Sequence, residues 1–237
     1  MKNNTKRVVE EIIHTLHSFF DITRLQQAPR FHPTKLTVIG VKVPDVKKTL
    51  SKLLSLSARC SIHEKWLLVQ QFIKTDIFEC YHLAYEFIYH NIPILEFIQK
   101  KDYTLLTEKI DNWVLADVFG LNVSGQAWRE KYISNDFILS WQQSDNYWIR
   151  RIALVSTIPL NLRSKGGIGD SKRTLMLCKN AIEDPHPKMA KALSWALREL
   201  SKVDPSAVRE FIEKYKKDIP LLTYREVMNK LKTGRKN

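Results

Sequence analysis

Glycine and proline are scarce in this sequence, which has 7 and 9 of them among 237 residues. Turns between short strands depend on these residues, so their scarcity argues against a fold of many strands. Cysteine is also rare. Cys60, Cys80 and Cys178 form an odd, widely spaced set, which argues against a disulfide framework and indicates a reducing compartment. Cys60 with His63, and Cys80 with His82, lack the paired spacing of a zinc site, so we expect no bound metal.

Long apolar runs are absent as well. No segment stays apolar over the length needed to span a bilayer. The N-terminal segment MKNNTKRVVEEIIHTL mixes acidic with apolar residues, unlike a secretory signal. We therefore expect the protein in the cytoplasm, or in the nucleus if its source is eukaryotic.

Acidic residues are outnumbered, with 25 Asp and Glu against 38 Lys and Arg, which gives a net charge of +13. This charge favours a polyanionic partner, nucleic acid before a membrane surface. The membrane is the weaker choice because the cations are spread over many segments and form no single basic amphipathic helix. A surface that serves only solubility is the plain alternative.

Apolar residues recur with a helical period along nearly the whole chain, which predicts an all-α fold. The only candidate strand is 35–43, which Gly40 interrupts. The first helix carries an apolar stripe from Val8 to Phe19, and Pro44 opens the second. Further helices are predicted at 66–73, 77–90, 93–100, 102–119, 124–133, 135–143, 146–159, 170–183, 186–201, 205–216 and 222–232.

A weak internal repeat indicates how these helices are arranged. Three aspartates each precede an alanine by eight positions, as expected of a helix N-cap followed by a small packing residue. Their spacing fits a HEAT-like solenoid of stacked antiparallel helical hairpins with a concave basic face. A non-repetitive helical bundle is the alternative. We expect one domain over 1–237, with an ordered core at 5–232 and a basic tail at 233–237. The aspartate–alanine pairs are Asp76–Ala84, Asp145–Ala153 and Asp184–Ala192.

Three tryptophans each have a charged residue three or four positions later, on the same helix face. A core has little use for an indole beside a charge, whereas a surface that binds a charged or aromatic group does. The alternative is a core tryptophan with a solvated charge. The pairs are Trp113–Asp117, Trp148–Arg151 and Trp195–Arg198.

The segments that hold these pairs resemble the successive motifs of the AlkD-like DNA alkylation-repair glycosylases. They are WVLAD at 113–117, SDNYWIRRIAL at 144–154 and KALSWALREL at 191–200. In addition, GVKVP at 40–44 resembles the family's N-terminal motif, and TYREVMNKL at 223–231 its C-terminal helix. The resemblance implies a HEAT-like solenoid that removes alkylated bases from DNA.

Residue by residue, the resemblance implies that Asp117 is the catalytic carboxylate, with Trp113 one turn before it and Arg151 beside the lesion. Trp195 matches the second wall of the cleft. Phe31 stands where some members carry tyrosine, so a hydroxyl would be lost there. We expect these side chains to converge on one cationic surface.

The activity implied is hydrolysis of the N-glycosidic bond of cationic N3- or N7-alkylated purines in duplex DNA, in base excision repair. It requires no cofactor. The partner is double-stranded DNA with alkylated bases, and we expect a monomer associated with the nucleoid or located in the nucleus. Further DNA contacts are expected from Trp148, Arg150, Lys188, Lys191 and Arg198.

Two functions of other classes fit the same scaffold. One is a HEAT-like module that binds DNA without catalysis, and the other is a protein-interaction scaffold. The glycine-rich basic segment LRSKGGIGDSKR at 162–173 is either a phosphate-contacting loop or an ordinary solvated linker. It lacks the pattern of a nucleotide-binding P-loop.

Overall fold

Helices make up the regular structure of the computed structural model, which describes the backbone of residues 2–235 and the side chains of residues 5–235. They are α1 (Lys2–Ser18), α2 (Ile22–Phe31), α3 (Val43–Leu56), α4 (Ile62–Ile73), α5 (Phe78–Tyr89), α6 (Pro93–Phe97), α7 (Lys100–Thr107), α8 (Trp113–Phe119), α9 (Gly125–Arg129), α10 (Asn135–Gln142), α11 (Tyr147–Val155), α12 (Ile158–Asn161), α13 (Ser171–Asn180), α14 (Pro187–Leu200), α15 (Pro205–Lys214) and α16 (Leu221–Thr233). The all-α prediction is confirmed.

The candidate strand at 35–43 does not form. Within residues 2–235, β-type pairing is limited to the isolated bridges Phe20–Val41 and Thr37–Ile77. The backbone amides of residues 39–41 donate instead to the buried carboxylate of Glu79. A side chain therefore supplies the acceptors that a neighbouring strand would have offered.

The chain divides into two compact units, Met1–Val118 and Phe119–Asn237. In the first, α1 packs on α3 and α4, while α5 packs on α3 and α4. In the second, α11 packs on α10, α13 and α14, and α14 packs on α16. Each unit buries aliphatic and aromatic side chains completely, such as Phe72 and Leu83 in the first and Leu193 in the second.

The alanines of the repeat lie where the sequence predicts, since Ala84, Ala153 and Ala192 are all buried. The assignment of the preceding aspartates as N-caps is wrong. Ile77, Asn146 and His186 occupy the N-cap positions of α5, α11 and α14.

Two of those aspartates make ion pairs instead. Asp76 has a left-handed backbone, with φ of 55°, and its carboxylate pairs with Lys109 at 2.6 Å. Asp184 pairs with Arg150. For α11 and α14, the spacing alone does not say which polar residue near the helix start accepts the first amides. α5 begins after Ile77 and has no side-chain cap.

The helix predicted at 102–119 is interrupted. α7 ends at Thr107, and α8 begins at Trp113, where the side-chain oxygen of Asn112 accepts the amide of Leu115 at 3.0 Å. The helix predicted at 146–159 likewise divides into α11 and α12. α2 was not predicted, because its few apolar positions and Pro29 give little periodic signal.

A π-helical turn, Gly120–Ser124, precedes α9. A Cβ at Gly120 would lie 2.8 Å from Val155 Cγ1 on α11, and one at Gly125 would lie 2.5 Å from the Gly120 carbonyl. Both positions therefore require glycine for this close packing of backbone on α11 and α12.

Candidate functional site

Trp113 and Phe31 lie together at the surface of the first unit. The Trp113 indole Nε1–H donates to the Phe31 carbonyl across 2.6 Å, which joins the start of α8 to the end of α2. Both side chains remain exposed, Trp113 at 42% and Phe31 at 53%. Two large aromatic rings are thus presented to solvent, and the bond ties the Trp113 indole to the backbone at the end of α2.

The start of α8 is held in place by Asp111. Its carboxylate accepts the Thr34 hydroxyl and the Lys35 amide, both at 2.6 Å. Asn112 then caps the helix. Two sets of contacts therefore hold Trp113 in position. Its indole bonds to the end of α2, and the preceding Asp111 bonds to residues 34 and 35, which follow α2.

Asp117 lies one turn after Trp113 on α8 and is buried, with 9% of its surface exposed. A carboxylate in a largely water-excluded place exerts a stronger field on a nearby positive charge than it would in bulk water. In its ionised form, Asp117 can therefore act on a cation without reorganising solvent.

A cavity of about 290 Å³ opens beside the two aromatic rings. His32, Phe78 and Glu79 also line it. The His32 ring stacks on Phe78 with 4.5 Å between centroids, and its buried Nδ1 has no hydrogen-bond partner among the described residues. Burial lowers the pKa of His32, which favours the neutral imidazole.

The GVKVP segment at 40–44 also lines this cavity. Gly40 has φ of +91°, and a Cβ there would lie 2.9 Å from Leu25, so only glycine fits. The Asp21 carboxylate caps α2 through the Arg24 amide and pairs with Lys42 at 2.6 Å. The hydrogen bond from Lys42 lowers the pKa of Asp21, and the two groups hold α2 against the start of α3.

In the second unit, Arg151 is a buried cation on α11, with 6% of its surface exposed. Its Nη1 donates to the Lys188 carbonyl at the start of α14, at 2.6 Å. This bond fixes the guanidinium relative to both helices.

Arg150, the neighbouring arginine, binds a different partner. Its Nε and Nη2 donate to the Asp184 carboxylate at 2.6 and 3.2 Å, and its Nη1 donates to the carbonyls of Ser144 and Asp145. Burial alone would raise the pKa of Asp184, but the bonds from Arg150 and from the His186 amide outweigh it and lower the pKa. Arg150 is thus committed to an internal ion pair that joins the starts of α11 and α14.

Aromatic and cationic groups surround this ion pair. The Lys188 ammonium lies 4.5 Å from the centroid of the Trp148 ring, a cation–π distance. Tyr147 stacks on His186 with 3.6 Å between centroids. Trp148 itself is buried at 6% exposure, so its ring contributes mainly to packing.

One face of α14 carries the remaining predicted contacts. Lys191 is exposed, Trp195 is half-buried one turn later, and Arg198 follows. The Arg198 Nε lies 3.6 Å from the Glu226 carboxylate and donates to the Ser194 hydroxyl at 3.1 Å. Among these three residues, Lys191 is therefore the most accessible to a solvent-borne anion.

The segment 162–173 is more ordered than the sequence suggests. Arg163–Lys165 forms a 3-10 turn, and α13 begins at Ser171. Lys165 donates to Asn122 at 2.6 Å, and Arg173 donates to Asp170 and to the Trp128 carbonyl. Two of its four cations are therefore used inside the protein.

The structure brings Phe31 together with Trp113 and joins Arg151 to Lys188 and Lys188 to Trp148. The convergence of Asp117 and Trp113 with Arg151 and Trp195 stays a prediction. Sequence reasoning missed the bracing roles of Asp111, Glu79 and Asp184. Their acidic character was visible, but their partners lie more than 30 positions away, and nothing in a single sequence marks such a pairing.

A family model described as DNA alkylation repair enzyme matches residues 12–231 of the chain. None of the curated proteins matches the sequence. Over the described residues, no helix is both long enough and apolar enough to cross a membrane.

Proposed function

This chain belongs to the DNA alkylation repair enzyme family, and on that premise we propose that it is a DNA glycosylase. Its substrate is duplex DNA that contains N3- or N7-alkylated purines, and the reaction hydrolyses the bond between the base and deoxyribose. The carrying observation is that the family match spans the whole stretch from Phe31 to Trp195, within which Asp117 is a buried carboxylate one turn from an exposed tryptophan.

The chemistry follows from the charge of the substrate. An N3- or N7-alkylated purine is cationic, so its bond to the sugar is already weak. As the base leaves as a neutral molecule, positive charge develops on the deoxyribose. Asp117 stabilises that charge more strongly in the transition state than in the ground state and orients the attacking water.

Trp113 supplies one wall against the sugar. Its ring is partly exposed and is held by the hydrogen bond to the Phe31 carbonyl. Trp195 supplies the second wall. Both indoles exclude bulk water and favour the cationic sugar through their π faces.

Cations hold the DNA backbone. Arg151, fixed by the Lys188 carbonyl, contacts a phosphate beside the lesion and orients Asp117. Lys188, Lys191 and Arg198 extend the phosphate contacts. We assign Arg150 to bracing α11 through Asp184, since its donors are used within the protein.

A HEAT-like array with a basic face is the scaffold we propose for this site. In the second unit, α10 with α11 and α13 with α14 form packed neighbouring pairs. Such pairs are the repeating element of a helical solenoid.

The direct test is to incubate the protein with a duplex that carries one N7-methylguanine and to measure free 7-methylguanine and abasic sites. We expect both products in equal amounts, and none from the undamaged duplex. Tight, salt-sensitive binding without base release would identify a non-catalytic DNA-binding module. Failure to bind duplex DNA at low salt would instead support a protein-interaction scaffold.

A further inference from the structure

A single isoleucine projects into water from the connection between α12 and α13. Ile168 has 94% of its surface exposed, and it lies between Gly167 and Gly169. Burying such a side chain is favourable, so an isoleucine held fully in solvent is available for contact with a partner. We refer to residues 162–170 as the Ile168 loop.

Hydrogen bonds fix the backbone on both sides of Ile168. The Gly167 amide donates to the Leu162 carbonyl at 3.1 Å, and the Gly169 amide donates to the Leu160 carbonyl at 3.0 Å. The Asp170 amide donates to the side chain of Asn161 at 2.9 Å. The loop is therefore tied to the end of α12, and its tip cannot fold Ile168 back onto the protein without breaking these bonds.

The three glycines are required by this conformation. Gly166 and Gly169 have φ of +83° and +102°, and a Cβ at Gly167 would lie 2.5 Å from the Pro159 carbonyl. Only the position of Ile168 in this run is free to carry a side chain. The loop thus presents one β-branched apolar group on a rigid base, which loses little entropy on binding.

Exposed cations flank this group. Arg163 and Lys172 are exposed on either side of it in the sequence, while Lys165 and Arg173 fasten the loop internally. A protein-docking surface needs a contiguous apolar patch. One apolar side chain between exposed cations fits a nucleic acid better, because proteins insert such wedges between base pairs while their cations hold the phosphates.

We propose that the Ile168 loop is a DNA wedge, in which Ile168 inserts at a base step while Arg163 of the loop and Lys172 at the start of α13 hold the adjacent phosphates. This inference rests on the proposed function, since it gives the same duplex substrate a further contact. It assigns to the loop a role in binding and deforming DNA, apart from the bond-breaking residues.

The test uses duplexes that contain one N7-methylguanine and a 2-aminopurine placed at successive positions on either side of it, with fluorescence read on binding, before any base is released. 2-Aminopurine brightens when it is unstacked. With the wild-type protein we expect a rise of about threefold at one step only, since a wedge unstacks one step. Ile168→Ala should abolish the rise and weaken binding about tenfold, without changing the salt dependence, because no charge is removed.

Leu221→Ala is the matched control, because Leu221 is also an exposed aliphatic residue, at 80%. It should leave both signals at the wild-type level. Ile168→Ala should also keep the wild-type melting temperature, since the side chain makes no core contact.

Wild-type affinity and an unchanged 2-aminopurine profile in Ile168→Ala would overturn the wedge and point to a partner other than DNA, even if the wild-type protein releases 7-methylguanine. An Ile168-dependent unstacking signal without any base release would keep the wedge and reject the glycosylase instead.

Discussion

Arg150 and Arg151 are adjacent in sequence but have different surroundings. Successive residues of a helix point about 100° apart, so Arg150 meets Asp184 while Arg151 meets the Lys188 carbonyl. The motif WIRR predicts two cations at the start of α11 but not which one is committed to an internal pair. That choice depends on Asp184, which lies on a different segment.

The Arg150–Asp184 pair should contribute to stability. Asp184→Asn removes the charge and keeps the size of the side chain, and we expect the free energy of unfolding to fall by about 2 kcal/mol at pH 7. Because the pKa of Asp184 is lowered in the folded protein, this contribution is present above the unfolded-state pKa of about 3.9. It is lost as the pH falls through the folded-state value.

Urea denaturation at pH 7 and near pH 3 measures the difference in the free energy of unfolding between the wild-type protein and Asp184→Asn. It should be smaller at the acidic pH. Asp218→Asn, which removes a carboxylate from an exposed position away from this pair, is the control and should change little. Equal stability of Asp184→Asn and the wild-type protein at pH 7 would contradict the assigned bracing role.

Trp113→Phe tests whether the indole N–H matters for function. The variant keeps an aromatic wall but loses the hydrogen bond to the Phe31 carbonyl. A bond worth about 1 kcal/mol corresponds to about a fivefold slower base release under single-turnover conditions. A rate equal to that of the wild-type protein would show that base release does not depend on the hydrogen bond that holds the Trp113 ring.

Among the elements, the long periodic helices were predictable and their interruptions were not. α5, α10, α13, α14 and α15 lie within a few residues of their predicted bounds, because apolar stripes mark the buried face of a helix. The break before α8 depends on hydrogen bonds that the Asp111 carboxylate accepts from the Thr34 hydroxyl and the Lys35 amide, far away in sequence. Residues 35–43 have the apolar character of a strand, and the sequence does not show that Glu79 accepts the amides of residues 39–41.

The π-helical turn at Gly120–Ser124 is another feature that the sequence pattern does not show. Its glycine permits close contact with α11. Gly120→Ala should lower the free energy of unfolding by about 1–3 kcal/mol, because its Cβ would overlap Val155.

Thermal and urea denaturation measure the free energy of unfolding of Gly120→Ala, Val155→Ala and the double variant, which together make a double-mutant cycle. We expect the double variant to be more stable than the sum of the two single effects predicts, since removing the Val155 methyl groups makes room for the new one. Strict additivity would argue against this contact as the cause.

For the whole molecule, the net charge of +13 and the motif order were the useful signals. The resemblance drawn from five short motifs is confirmed by the family match across 12–231. The roles of the individual cations were not readable from their spacing, because Arg150, Arg173 and Lys165 make internal contacts whereas Lys191 is exposed.

DNA affinity should therefore fall steeply with salt. If five phosphates are contacted, the slope of log K against log salt is about −4.5 for duplex DNA. Lys191→Gln should reduce the magnitude of that slope by about 0.9 and weaken binding equally for damaged and undamaged duplexes. Fluorescence anisotropy from 50 to 200 mM salt measures both, and an unchanged slope would remove Lys191 from the interface.

In the proposed reaction, Asp117 stabilises the charge that forms when the base leaves. The most direct test of this role is single-turnover release of 7-methylguanine by Asp117→Asn, at saturating protein, beside Asp218→Asn, which removes the same charge from an exposed position. We predict that Asp117→Asn binds the duplex normally and releases the base at least about 100-fold more slowly, while Asp218→Asn matches the wild-type rate. Release by Asp117→Asn at the wild-type rate would contradict the account.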